Sequence, residues 1–285
     1  MIDCIIFSKD RACQLNLLLD SLAANAPGFF DSIGVIYKAS TPEYLEGYLL
    51  LQGEGHDVLW INEDTEYGFK SGYGNDTRAG FKQLTESIIQ SSDADYLSFL
   101  VDDDIIYRPI EAHPKYVEYL MEVLHMFCFT LRLGTNTTYE GVQTKEPASG
   151  PSDLSVIEER AIMWDAAAIR SHSSFGYPFS VDGHIMRKKD ILRILDKYNY
   201  DTPNGLEGNY REKPPIQIMG AFIDSVLVNT PLNLVGSSQN WTGEQYSVSL
   251  EEFNEKYLSG GKPDLTKMDF SNIIGCHMEL EIKFR

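Results

Sequence analysis

The sequence predicts an α/β fold in which a central, mostly parallel sheet is flanked by helices. Three observations point there. Short apolar runs alternate with helical stretches from residue 4 to residue 101. The runs are continuous rather than alternating, as in strands buried on both faces. Over 285 residues, 43% hydrophobic and 23% charged, the chain can bury a large core and is not disordered.

Element by element, Cys4 to Phe7 reads as the opening strand. It enters a polar loop, Ser8-Lys9-Asp10-Arg11, with good helix-capping residues. Leu15, Leu18, Leu19 and Leu22 then fall at i, i+3, i+4 and i+7 on one helical face, which Asn25-Ala26-Pro27-Gly28 stops. Ile33 to Tyr37 is a second strand, Thr41 starts a helix toward Leu51, and Val58 to Ile61 is a third strand. A glycine-rich passage, Gly68 to Asp76, leads into a helix over 77–90 with Phe81, Leu84 and Ile88 inward. Tyr96 to Val101 is a fourth strand, stopped abruptly by Asp102-Asp103-Asp104.

Pro114 opens a further amphipathic helix, and Phe127 to Leu133 a further strand. Residues 134–155 lack periodicity and read as a long loop. Strands are expected within 161–168 and 179–186, a helix over 189–198 and a polar loop over 202–215. Gln217 to Phe222 suits strand or helix, Ser249 caps a short helix, and Gly275 to Phe284 alternates like a terminal strand. One domain spans 1–285, with a nucleotide-binding half (1–110) and a site-completing, acceptor-binding half (111–285).

Charge narrows the function classes. Lys and Arg total 24 against 42 Asp and Glu, a net charge of −18 that repels nucleic-acid backbone and anionic lipid. An anionic ligand would need a metal or a local basic group. Four scattered cysteines form neither a zinc pattern nor a disulfide scaffold, and no run is long enough to span a membrane. A cytoplasmic, reducing setting is expected.

The sharpest feature is the acidic triplet. Ligands of open parallel sheets bind beyond the carboxyl ends of the strands. Aspartates at i and i+2 of an extended chain offer oxygens to a hard divalent cation, although acidic turns are common. A first strand ending in Ser8-Lys9-Asp10-Arg11, with Phe99-Leu100-Val101-Asp102-Asp103-Asp104 closing a later one, resembles a GT-A glycosyltransferase of the family 2 type. The likeness covers residues 1–110 in organisation and the remainder in scattered features.

That resemblance implies a Rossmann-type nucleotide-diphospho-sugar transferase fold. It also implies a metal-dependent hexosyltransferase-type enzyme of class EC 2.4. A sugar would pass from a nucleotide-diphosphate donor, a UDP-sugar first among them, to a hydroxyl on a glycan, a lipid-linked molecule or a protein. By carry-over, Asp104 coordinates Mn²⁺ or Mg²⁺, Asp102 contacts the ribose or the metal's water shell, and His277 completes the metal shell. Ser8, Lys9, Asp10, Arg11, Asn75, Arg78 and Asp103 fall where the family grips the nucleotide-sugar. The candidate catalytic base is Glu207 in Pro203-Asn204-Gly205-Leu206-Glu207, with Asp182 the competing candidate; the family's Glu-Asp pair is missing, which leaves a base elsewhere, and inversion or retention, open. His184 is a further ligand contact, and Tyr177, Trp241 and Tyr246 are aromatic platforms for a sugar ring.

Two alternatives stand beside this reading. One is a non-catalytic nucleotide-sugar or carbohydrate-binding protein of the same fold. The other is a sugar nucleotidyltransferase, although its Gly-rich first loop is missing. Dinucleotide-binding, P-loop and G-x-S-x-G motifs are also missing from the sequence.

Overall fold

The computed structural model describes residues 1–66, 77–141, 146–169, 173–208, 217–235, 242 and 244–285. Its first half runs β1 (Ile2–Lys9), α1 (Ala12–Asn25), β2 (Ser32–Lys38), α2 (Pro42–Gln52), β3 (Leu59–Asn62) and a single turn α3 (Glu63–Glu66). Then follow α4 (Thr77–Ser91), β4 (Tyr96–Val101), β5 (Asp104–Ile106) and α5 (Pro114–Val123). The second half holds β6 (Cys128–Thr130), β7 (Tyr139–Glu140), β8 (Glu146–Pro147), β9 (Ser155–Ile157) and β10 (Ala161–Asp165). It ends with β11 (His184–Arg187), α6 (Lys188–Leu195), α7 (Pro203–Gly208), β12 (Ile218–Phe222), β13 (Leu227–Asn229) and α8 (Leu250–Leu258).

Nine strands form one sheet in the order β3-β2-β1-β4-β11-β6-β12-β10-β9. Pairings among β3, β2, β1 and β4 are parallel. Only β11 and β10 run against the other seven, so the sheet is mostly parallel, as the sequence predicts. The order 3-2-1-4 is that found across the centre of a doubly wound sheet, and its switch point lies between β1 and β4.

Both faces of this sheet are covered. Along β1, Ile2, Cys4 and Ile6 join the core under α1, α2, α5 and α8, while Ile5 and Phe7 join the core under α4, α6 and α7. Burial on both sides is the reason for the strand's unbroken apolar run. Leu15, Leu18, Leu19 and Leu22 of α1 all lie in the first core, and Phe81 and Leu84 of α4 in the second.

The departures fall in the second half. Strand structure in 179–186 begins only at His184, because Gly183, at φ +74°, turns the chain there. The expected loop over 202–215 contains α7, started by Thr202, whose Oγ1 accepts from Gly205 N at 3.0 Å, with Pro203 in the first turn. Residues 275–284 form isolated bridges to Tyr139, Asn229 and Pro263 instead of a strand. Loop 134–155 carries the two-residue strands β7 and β8. No helix among the described residues is long and apolar enough to cross a membrane.

Close backbone approach sets the path after β6. A Cβ on Gly134 would lie 2.3 Å from Ser225 N and 2.6 Å from the Asp224 carbonyl carbon. Gly134→Ala is expected to cost ~2–3 kcal/mol, read as a lower urea midpoint at unchanged slope.

Candidate active site

Register places the acidic triplet. Phe7 of β1 pairs with Val101 of β4, and Asp102 N donates to Phe7 O, so Asp102 emerges beside Ser8 at the switch point. Ser8 Oγ and Lys9 N donate to Asp102 Oδ2 at 2.9 and 3.0 Å. The chain then turns through Asp10, a non-glycine residue at φ +58°, a conformation that costs about 1–3 kcal/mol unless its surroundings hold it. Ser40 holds it, donating from N and Oγ to the Asp10 carboxylate at 2.6 and 2.8 Å.

That turn brings Arg11 back over the triplet. Its Nη1 donates to Asp102 Oδ1 at 2.9 Å and to Asp103 Oδ2 at 3.0 Å. Its Nε and Nη2 donate to Asn233 Oδ1 and O at 2.8 and 2.5 Å. On the far side Asn229 Nδ2 donates to both Asp103 Oδ1 and Asp104 Oδ1 at 3.0 Å, and Val101 N donates to Asp104 Oδ2 at 3.0 Å. All six carboxylate oxygens therefore accept a hydrogen bond from the protein, and Asp104 is 0% exposed. Burial pushes Asp102 up to about 6 against the pull of Arg11, and burial with Asp182 and Asp103 raises Asp104 well above the carboxylate range.

The expected Mn²⁺ or Mg²⁺ site at Asp104, Asp102 and His277 is not formed. Asp102 and Asp104 spend their oxygens on protein donors, and both ring nitrogens of His277 lie against other side chains. Among the described residues no cluster of three or more His, Cys, Asp or Glu is arranged to hold a metal ion. The donor set as placed does not fit the ion.

A second group of charges lies further along the same edge. Beyond the end of β6 and before the start of β11, neighbouring strands deliver Arg132 and Asp182 together, and Arg132 Nη1 donates to Asp182 Oδ2 at 2.7 Å. His277 Nε2 is 3.4 Å from the same oxygen, and His277 Nδ1 is 3.3 Å from Cys276 Sγ. Asn229 positions this histidine: its backbone bonds Cys276 O and Met278 N while its side chain reaches the triplet. Glu207, on α7, accepts on Oε1 from Ser180 Oγ at 2.5 Å and Val181 N at 2.9 Å. Its Oε2 has no hydrogen-bond partner among the described residues.

These groups line an open pocket of about 190 Å³, whose walls are Arg132, Ser173, Ser174, Tyr177, Asp182, Glu207 and His277. The environments of its two carboxylates differ. Burial, then Asp182, pushes Glu207 up. Burial would raise Asp182 too, but the His277 hydrogen bond and the Arg132 charge outweigh it and hold Asp182 below its ordinary value. Burial would lower His277, yet Cys276 and Asp182 raise it well above the ordinary histidine value, while His277 brings the Cys276 thiol down to about 7.

Of the residues singled out in the sequence, Ser8, Lys9, Arg11 and the triplet meet at the switch point, and Asp182, Glu207, His277 and Tyr177 meet at the cavity. The Asp10 carboxylate is taken up by Ser40. His184 is fully buried, with Nδ1 3.2 Å from Pro178 O, and Tyr246 packs against the core. Asn75, Trp241 and the side chain of Arg78 lie outside the described residues. Sequence reasoning missed Arg132, Asn229 and Asn233. A charged residue inside the apolar run Phe127 to Leu133 was a signal for the first, and a lone amide after Leu227-Val228 for the second. Asn233 carries no such mark.

No family model and no curated protein matches the chain. Among solved structures, it resembles S. aureus TarS 1–349 in complex with UDP, at 13% identity and a TM-score of 0.46, over 79% of this chain and 59% of that one. It thus spans about three-fifths of that TarS fragment. It also resembles the 4-diphosphocytidyl-2C-methyl-D-erythritol synthase of Anaerococcus prevotii, at 9% identity and 0.39, over 91% and 96% of the two chains. A third is the glucosyl-3-phosphoglycerate synthase of Mycobacterium tuberculosis in complex with Mn²⁺, UDP and glucosyl-3-phosphoglycerate, at 11% and 0.29, over 50% and 44%. The fold is α/β, with a mostly parallel nine-stranded sheet flanked by helices.

Arg132 and Asp182 form a buried pair, with side chains 4% and 12% exposed. Removing one partner strands the other, so Arg132→Met is expected to lower unfolding free energy by ~3–5 kcal/mol in urea denaturation. Adding Asp182→Asn should restore part of that loss, because the orphaned charge is then gone.

Proposed function

We propose that this protein is a glycosyltransferase that moves a sugar from a nucleotide-diphosphate donor, a UDP-sugar first among the choices, to an acceptor hydroxyl. The observation that carries this reading is the pocket along the same sheet edge as the switch point, lined by two carboxylates held in opposite protonation tendencies. Pairs of titratable groups pushed apart in this way mark acid–base assignments.

In this reading residues 1–110 hold the nucleotide and residues 111–285 receive the acceptor. Lys9 Nζ has no ion-pair partner among the described residues, so Lys9 and Arg11 supply positive charge at the switch point for the diphosphate. Glu207 is the base. Its Oε1 is fixed by Ser180 and Val181, which leaves Oε2 to take the proton of the acceptor hydroxyl as that oxygen attacks the anomeric carbon. The bond from the anomeric carbon to the diphosphate oxygen breaks, and the nucleoside diphosphate leaves with the electron pair. Asp182, kept ionised by Arg132 and His277, faces the positive charge that develops on the sugar ring. Arg132 and Tyr177 can donate to sugar hydroxyls. No step runs through a divalent ion, because the oxygens expected to hold one are engaged. Four free, buried thiols support the cytoplasmic part of the same reading.

Nucleotide-sugars screened for thermal stabilisation and for hydrolysis test this function directly. Stabilisation without turnover would favour the binding-protein alternative, and no response to any donor would refute both. Glu207→Gln is expected to lower kcat about a hundredfold or more while donor affinity stays within a few-fold, read by steady-state kinetics and calorimetry.

The pH profile carries a sign. Only ionised Glu207 accepts a proton, and its raised pKa means that this form is lost on acidification earlier than for an ordinary glutamate. The acid limb of kcat/KM should therefore lie above the usual carboxylate range and vanish in Glu207→Gln. An acid limb that persists in the variant would assign it to another group.

A further inference from the structure

A divalent ion held between carboxylates has three properties: positive charge, fixed position and several oxygen partners. At this edge those properties already belong to side chains. Arg11 Nη1 sits 2.9 Å from Asp102 Oδ1 and 3.0 Å from Asp103 Oδ2, joining the two carboxylates through one nitrogen. Two contacts to Asn233 fix the rest of the guanidinium, and the Arg11 side chain is 10% exposed. Asn229 Nδ2 joins Asp103 and Asp104 in the same way from the other side. To enter, a metal would have to take oxygens from both groups and strand a buried guanidinium that has no other carboxylate within ion-pair distance among the described residues.

We propose that Arg11 stands in place of a divalent ion at Asp102 and Asp103, so that this edge is built as a metal-independent anion site. The guanidinium is the resident cation, clamped by Asn233, and it meets a nucleoside diphosphate together with Lys9. Two features support a dedicated device. The αL turn at Asp10, held by Ser40, is what lets Arg11 follow Lys9 and still reach Asp102. Tyr48 OH accepts from Arg11 N at 3.2 Å and contacts Ser8 Oγ at 2.7 Å, tying the arginine's backbone to the strand end that holds Asp102. The nucleotide part of this inference rests on the proposed function; the exclusion of metal does not.

Manganese titration of the full chain, followed by the electron paramagnetic resonance signal of free Mn²⁺, tests the exclusion without any donor. Wild type is expected to leave the signal unchanged at millimolar metal. Arg11→Gln removes the charge and should take up a single Mn²⁺ at least about tenfold more tightly than wild type, uptake that a further Asp102→Asn abolishes. Arg11→Lys, which keeps the charge, should stay metal-free. Wild-type uptake that Asp102→Asn removes would overturn the proposal. So would a folded Arg11→Gln that binds no metal, since the triplet would then be no cation site in either form. If Arg11→Gln fails to fold, the wild-type titration and its Asp102→Asn control decide alone.

The second arm measures thermal stabilisation by UDP in EDTA and in Mn²⁺. Equal shifts support a metal-independent site, and a shift seen only with manganese overturns it. Should no nucleoside diphosphate stabilise the protein in either buffer, the proposed function fails, and the manganese titration still decides the role of Arg11.

Discussion

Three adjacent carboxylates held inside one sheet edge are the constraint on which the rest of this structure depends. Two unit charges about 4 Å apart repel by roughly 4 kcal/mol at an effective dielectric of about 20, and burial adds to that cost. The protein meets it with donors drawn from distant parts of the chain: Ser8 and Lys9 at the end of β1, Arg11 before α1, Val101 on β4 and Asn229 on β13. Each donor ties an element to the edge. The β5–β13 ribbon exists where Asp104 meets Asn229, and the terminal segment docks where the Asn229 backbone bonds Cys276 and Met278. Local charge thus organises the long-range connections of the second half.

The first half was legible because its signals are local and periodic. Strands buried on both faces need continuous apolar runs, and helices on a sheet need a stripe, so β1 to β4 and their helices could be placed from spacing alone. The second half was less legible for the same reason. β11 is four residues long, and its start is set by a glycine at positive φ pressed against Leu227 and Leu131, partners remote in sequence. Residues 275–284 alternate like a strand but find single bridges, since Asn229 and Pro263 meet them from different elements. Glu207 falls within the stretch 202–215 that reads as a polar loop, whereas Thr202 and Pro203 start a helix there.

The candidate site was legible as residues and not as partnerships. Asp102, Asp104, Asp182, Glu207 and His277 were all named, and all lie along one edge. What the sequence did not carry is which charge answers which. Arg132 answers Asp182, and Arg11 answers Asp102 and Asp103. A triplet of aspartates reads as a metal site only while its counter-charge is unknown. Once the arginine 91 residues away in sequence is seen on Asp102, the same triplet becomes the anchor of a fixed guanidinium.

This exchange bears on how so acidic a chain would accept the anionic donor proposed for it. A net charge of −18 produces a field that disfavours the donor at a distance, but salt screens exposed charges beyond about 8 Å. Attraction must therefore be local. Lys9, Arg11, Arg132 and His277 all belong to the one edge. Three of these four are clamped by carboxylates, which keeps them oriented without moving them into the bulk. The aspartates that oppose the proposed donor by their charge are, on this view, what holds the cations in place. Removing an aspartate from the triplet would then lower local negative charge and still weaken anion binding, because the guanidinium would lose its position.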